Sequence, residues 1–123
     1  MYKLLVIAAA VLLLSSGCAE KRSEEKVMEN HTKTVLIDVR SVEEFQAGHL
    51  KNAINIPHTE IAEKIVSAVP DKSAKLQLYC RSGRRVKIAI DELKKLNYNN
   101  LEDLGGMEEA AQRLNCPEKT AEK

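Results

Sequence analysis

Apolar and polar positions along the chain alternate between strand-like and helix-like segments. From residue 34 to residue 114, short apolar runs alternate with stretches in which apolar residues recur every three or four positions. The pattern predicts strands at 34–39, 53–56, 76–79 and 101–104, and helices at 42–47, 59–69 (or from His58), 84–96 and 107–114. Four strand–helix units predict an α/β domain with a central parallel sheet and helices on both faces.

Local signals mark several of these boundaries. Ser41 followed three residues later by Glu44 is typical of a capping box at a helix start, and Gly48 is placed to end that helix. The pair Gly105-Gly106 is expected to end the last strand. The second helix is expected to bury one apolar face, made of Ile61, Ile65, Val66 and Val69.

The first residues are typical of an export signal. Lys3 precedes an apolar run over residues 4–14, and small residues lead to Cys18. The run is shorter than the ~20 residues of a spanning helix. Small residues before a cysteine resemble a lipoprotein signal, in which cleavage precedes Cys18 and its thiol is lipidated. Ordinary cleavage near Cys18 is the alternative.

The resulting division of the chain is a signal peptide at 1–17, a flexible charged tether at 18–33, a domain at 34–116 and a tail at 117–123. With either kind of cleavage, the domain is expected in the cell envelope. A lipid on Cys18 would anchor it to a membrane from the periplasmic side, and without the lipid it would be a soluble periplasmic protein.

Composition excludes several classes of function. The net charge is +1, and the chain is neutral once residues 1–17 are removed. With an aromatic content of only 3%, it lacks the charge and the stacking residues of a nucleic-acid-binding protein. The three cysteines form neither a disulfide framework nor a Cys-x-x-Cys or Cys/His cluster, so no metal site is expected. Cys80 and Cys116 could form a disulfide in an oxidising compartment. The simpler interpretation is that Cys116 is a packed or surface residue.

Cys80 is the main candidate for chemistry. It follows a predicted strand, and a turn containing Gly83 leads from it into a helix. Backbone N–H groups and the helix dipole favour an anion at such a position, and cations stabilise a thiolate further. Three cations crowd the same turn: Arg81, Arg84 and Arg85. The pattern indicates a reactive cysteine; the alternative is a buried cysteine beside arginines on a solvated helix face.

Three segments resemble the signatures of rhodanese domains. They are residues 38–57 (DVRSVEEFQAGHLKNAINIP), residues 79–85 (YCRSGRR) and residues 104–106 (LGG). Their order matches the family, and the resemblance covers residues 35–114. The short exported form is similar to the phage-shock-protein-E type of single-domain sulfurtransferase.

The resemblance implies a thiosulfate sulfurtransferase. Cys80 would take the outer sulfur of thiosulfate, release sulfite and hold a persulfide, which cyanide in an assay or a thiol in the cell would then consume. Family members that use mercaptopyruvate tend to have a small uncharged residue after the cysteine, so Arg81 favours thiosulfate. The resemblance implies no cofactor, and we expect a monomer. The substrate-binding loop would comprise Arg81, Ser82, Gly83, Arg84, Arg85 and Val86.

Two alternatives share this fold. Rhodanese-like phosphatases and arsenate reductases place an arginine after five residues that follow the cysteine, a position that Val86 occupies here. Arg85 comes one residue too early, which argues against phosphate chemistry. A non-enzymatic persulfide carrier or partner-binding module in the envelope is the other alternative, but inactive modules usually lack the cysteine.

Four residues near the site are expected to have structural roles. Asp38 and Arg40 lie at the end of the first strand, and Arg40 is expected to pair with Glu44 and fix the next turn. The imidazole of His49 is expected to hydrogen-bond loop backbone. Family members usually carry an aromatic residue shortly after the double glycine, and Met107 to Ala110 contain none. That departure leaves the packing of the last helix open.

Overall fold

The computed structural model describes residues 32–116 and the backbone of residues 118–120. The signal peptide, the tether up to residue 31 and Cys18 lie outside the described residues. The elements are β1 (Thr34–Asp38), α1 (Val42–Ala47), β2 (Gly48–Leu50), β3 (Ile54–Asn55), α2 (Ile61–Ala68), β4 (Lys75–Cys80), α3 (Arg84–Lys95), β5 (Leu101–Gly106), α4 (Met107–Leu114) and β6 (Glu118–Thr120).

Four strands form the central sheet in the order β3-β1-β4-β5, and all neighbours are parallel. The predicted α/β class with a parallel sheet is therefore confirmed. β2 and β6 form a separate antiparallel pair that the sequence did not predict. Each has three residues, too few to show the alternation by which a strand is recognised, and β6 lies in the segment taken as a tail.

The two faces of the sheet bury separate apolar clusters, as helices on both faces require. The larger cluster joins β1 and β4 to α2 and α3 through residues such as Ile37, Leu78 and Leu93. The smaller one packs α4 against the opposite face through Leu104 and Ala110, with Met107 partly buried beside them. The last helix therefore packs without an aromatic residue after the double glycine.

Two predicted details are wrong. Val66 in α2 is 46% exposed, because the buried stripe runs at four-residue spacing through Ile61, Ile65 and Val69. The predicted strand at 101–104 is two residues too short, since β5 includes Gly105 and ends at Gly106, which pairs with Cys80 across a register shift. Within residues 32–116 and 118–120, no helix has the length and apolar character needed to cross a membrane.

Candidate active site

Cys80 is the last residue of β4, at the carboxyl edge of the sheet. Its thiol is free and its side chain is fully buried against α3. The Gly83 N–H donates a hydrogen bond to Sγ over 2.8 Å. A backbone donor at this distance stabilises negative charge on sulfur, because it presents a fixed dipole where water cannot compete. The geometry fits a sulfur that acts as an anion.

Glycines allow the loop after Cys80 to take this shape. Gly83, the N-cap of α3, has φ of 91°, a left-handed conformation that L side chains rarely adopt. A Cβ on Gly106 would lie 2.6 Å from the carbonyl oxygen of Arg81. The double glycine of β5 therefore lets the loop rest directly on the neighbouring strand, which holds the loop backbone in place.

Arg85 is held on one side of the loop by Glu44, a residue of α1. Its two terminal nitrogens donate to the two carboxylate oxygens of Glu44, over 2.7 and 3.0 Å. Ser41 caps α1 by accepting the Glu44 N–H, which fixes the position of the carboxylate. The hydrogen bonds from Arg85 lower the pKa of Glu44 to about 2.

Cys80 also acts on Arg85 electrostatically. The hydrogen bonds with Glu44 raise the pKa of Arg85, and the negative charge of a Cys80 thiolate raises it further. The Arg85 guanidinium therefore stays charged while it is bound to Glu44 of α1. The expected pairing of Arg40 with Glu44 is wrong, because Arg85 occupies the Glu44 carboxylate and Arg40 turns toward Asp38.

Asp38 forms a buried network just below the loop. Arg40 donates its Nε and a terminal nitrogen to the carboxylate over 2.7 to 3.0 Å, and donates to the Gly48 carbonyl over 2.6 Å. The Tyr79 hydroxyl donates to Asp38 over 3.0 Å and accepts the Leu50 N–H. Burial opposes the charge on Arg40, but Asp38 outweighs it and raises the pKa of Arg40.

Burial raises the pKa of Tyr79 above its usual range, so its hydroxyl stays protonated and can donate. Tyr79 immediately precedes Cys80, which means that this network fixes the end of β4 from the face opposite the thiol. That Asp38 and Arg40 have structural roles stays a prediction, which these contacts support. His49 Nδ1 lies 2.9 Å from the carbonyl oxygen of Phe45, so its backbone partner belongs to helix α1 and not to a loop as predicted.

The other side of the loop borders an open cleft of about 630 Å³. Its lining combines loop residues with side chains of α3, β5 and α4: Ser82, Gly83, Arg84, Lys87, Asp103, Gly105 and Glu109. Arg81 and Arg84 of the predicted substrate-binding loop are exposed, whereas the Val86 side chain is buried in the core. Val86 therefore offers no exposed surface to a ligand.

Sequence reasoning missed three charged side chains that line this cleft: Lys87, Asp103 and Glu109. Helical spacing places Lys87 one turn after Arg84, which is a usable signal. No local signal brings Asp103 and Glu109 there, because their position depends on how β5 and α4 pack beside the loop.

A family model described as "Rhodanese-like domain" matches residues 21–113. The chain is 41% identical over 75 residues to Thiosulfate sulfurtransferase PspE of Escherichia coli K12. The aligned segment covers 61% of this chain and 72% of that protein. It is 37% identical over 91 residues to Adenylyltransferase and sulfurtransferase UBA4 of Candida albicans, covering 68% of this chain but only 21% of that protein.

A solved structure described as "rhodanese with anions from E. coli" has the same fold. It superposes with a TM-score of 0.64 at 37% sequence identity, and the match covers 71% of this chain and 98% of that one.

Proposed function

The chain belongs to the rhodanese-like domain family and is related to sulfurtransferases, and on that premise we propose that it is a thiosulfate sulfurtransferase acting through a Cys80 persulfide. The observation that carries this proposal is the hydrogen bond from Gly83 N–H to Cys80 Sγ at the carboxyl edge of the sheet. This hydrogen bond gives the nucleophile a backbone N–H donor that stabilises negative charge on its sulfur.

In the first half-reaction, the Cys80 thiolate attacks the outer sulfur of thiosulfate. A bond forms between the two sulfurs, and the S–S bond of thiosulfate breaks with its electron pair leaving on sulfite. The outer sulfur of thiosulfate projects one bond away from its bulky sulfonate group, which suits a buried Sγ. Arg81, Arg84 and Arg85 supply positive charge for the dianion and for the departing sulfite.

In the second half-reaction, a thiophilic acceptor removes the outer sulfur. Cyanide would take it as thiocyanate, and a thiol would take it as a new persulfide. The bond to Cys80 breaks in both cases, and its electron pair returns to Sγ. The Gly83 N–H is aimed at this atom and stabilises the thiolate that reforms.

The test is thiocyanate production from thiosulfate and cyanide. We expect Cys80→Ser to abolish it, because the less nucleophilic hydroxyl cannot hold a persulfide, and Cys116→Ser to retain it as a matched control. Mass spectrometry after thiosulfate alone should show one added sulfur on the wild type and none on Cys80→Ser. Activity that survives the Cys80 substitution would contradict the proposal.

We also propose that the mature protein is a lipoprotein of the cell envelope, anchored through Cys18. The support is the order of Lys3, the apolar run 4–14 and the small residues before the cysteine. Detergent partitioning of the expressed protein tests this. Cys18→Ala should move the protein to the aqueous phase, and unchanged partitioning would contradict the anchor.

A further inference from the structure

The cleft beside the cysteine loop carries charges of both signs, and three of these charged side chains have no partner among residues 32–116. We propose that it binds the sulfur acceptor, and that this acceptor is a small thiol bearing both an ammonium and a carboxylate group. The inference rests on the proposed function and adds the chemical class of the second substrate. We call the cleft lined by Arg84, Lys87, Asp103 and Glu109 the mixed-charge cleft.

Charges of both signs face the mixed-charge cleft without neutralising each other. Within residues 32–116, the side chains of Arg84, Lys87 and Glu109 make no hydrogen bond or ion pair with other residues, and all three are exposed. Two cations come from α3 and two carboxylates from β5 and α4. A ligand that carries one group of each sign can satisfy both walls, whereas a simple anion meets repulsion from the acidic wall.

The acidic wall is close to the reacting sulfur. Asp103 accepts the Gly105 N–H over 2.8 Å, and the Glu109 carboxylate lies where a Cβ on Gly105 would be. Gly105 in turn packs against Gly83, whose N–H contacts Cys80 Sγ. Two backbone contacts therefore connect the carboxylates to the thiol, and a ligand in the cleft lies beside the loop that would hold the persulfide.

Size and charge both favour the acceptor over the donor. A volume of about 630 Å³ is within the ~300–1,000 Å³ range of small-molecule sites and far exceeds what thiosulfate fills. Thiosulfate also has no positive group for Asp103 and Glu109 to bind. An amino-acid or short-peptide thiol has the ammonium, the carboxylate and the nucleophile in one molecule.

The transfer step balances without an outside oxidant or reductant. The acceptor thiol gives its proton to solvent, and its thiolate attacks the outer sulfur of the protonated Cys80 persulfide. One S–S bond forms to the acceptor, the S–S bond to Cys80 breaks, and the electron pair returns to Cys80 Sγ. The acceptor leaves as a persulfide, and Cys80 is again a thiolate.

The experiment measures the second half-reaction separately, using Cys80 persulfide prepared with thiosulfate. Four thiols serve as acceptors: L-cysteine with both charged groups, cysteamine with the ammonium, 3-mercaptopropionate with the carboxylate, and 2-mercaptoethanol with neither. Each variant rate is divided by the wild-type rate for the same thiol and then by the ratio for 2-mercaptoethanol. This normalisation cancels differences in thiol reactivity and in the general field at the sulfur.

We expect the two walls to discriminate in opposite ways. Lys87→Ala should slow 3-mercaptopropionate and L-cysteine roughly threefold to fivefold, the range that an exposed charge contact allows, and should not slow cysteamine. Glu109→Gln should slow cysteamine and L-cysteine by a similar factor and should not slow 3-mercaptopropionate. Only L-cysteine should lose rate in both variants.

Lys94→Ala and Glu63→Gln are matched controls, since they remove the same charges from exposed positions away from the cleft. Equal effects of Lys87→Ala or Glu109→Gln on all four thiols would overturn the inference. The inference would also be overturned if none of the four thiols removed the sulfur from the wild-type persulfide and only a thiol on another protein did. If thiosulfate forms no persulfide at all, it is the proposed function that fails.

Discussion

The two sides of the cysteine loop use charge differently. On the side that faces α1, Glu44 pairs with Arg85 and Asp38 pairs with Arg40, so that each charge has a partner at hydrogen-bond distance. We call this the α1 side. On the side that faces α4, Arg84, Lys87 and Glu109 line the mixed-charge cleft as exposed charges.

This difference separates charges that stabilise the fold from charges that are available to bind a ligand. Asp38 and Arg40 are almost completely buried, so each needs the other to remain charged, and together they fix the end of β4. Exposed charges keep their hydration and add little to stability, but they remain available to a ligand. The comparison predicts that substitutions of Asp38, Arg40 and Glu44 mainly lower the free energy of unfolding, and that substitutions of the cleft charges mainly change substrate use.

Asp38→Asn should have the largest effect. It removes the only carboxylate that the buried Arg40 pairs with among residues 32–116, and an uncompensated buried charge costs about 3–5 kcal/mol. The free energy of unfolding, measured with urea, should fall by that amount. Asp91→Asn removes an exposed carboxylate from α3 and should change it by less than about 0.5 kcal/mol. A small loss for Asp38→Asn would mean that the α1 side does not hold the fold.

Gly106→Ala should have the next largest effect, because the new Cβ would meet the Arg81 carbonyl at 2.6 Å and the loop backbone must move. We expect a loss of about 1–3 kcal/mol in unfolding free energy. The rate of persulfide formation should fall as well, since the hydrogen bond from Gly83 to the sulfur depends on the same loop. Unchanged persulfide formation would show that β5 does not position the loop.

How much of this could be read from the sequence depends on the range of the interactions. The strand–helix order, the cap at Ser41 and the turn after Cys80 follow from neighbours in the chain, and the sequence predicts them. The partner of Glu44 does not follow, because Arg85 is 41 residues away and Arg40 is an equally plausible local choice. The acidic wall of the cleft likewise arises only when β5 and α4 pack beside the loop.

The Glu44–Arg85 pair should give a smaller effect that depends on pH. The hydrogen bonds from Arg85 lower the pKa of Glu44 from 4.5 to about 2, so the pair stabilises the fold fully above pH 4.5 and loses this as pH falls toward 2. Because the pair is partly exposed, we expect Glu44→Gln to cost about 1 kcal/mol at pH 7.

The difference between wild type and Glu44→Gln should shrink when urea unfolding is repeated at pH 3. Glu43→Gln, at an exposed neighbouring position in α1, should show no such dependence. A difference that stays constant between pH 7 and pH 3 would mean that Glu44 acts through packing instead of charge.

The smallest stability effects are expected in the mixed-charge cleft. Lys87→Ala and Glu109→Gln should each change the unfolding free energy by less than about 0.5 kcal/mol, because neither side chain has a partner within residues 32–116. A loss above about 1 kcal/mol for either variant would assign these charges to the fold and remove the distinction between the two sides.

The salt concentration gives an independent test of the same comparison. Raising the ionic strength to about 1 M shortens the Debye length to about 3 Å and should weaken charge-dependent acceptor binding at the exposed cleft. The buried Asp38–Arg40 pair is shielded from mobile ions, so its contribution to stability should change far less over the same range.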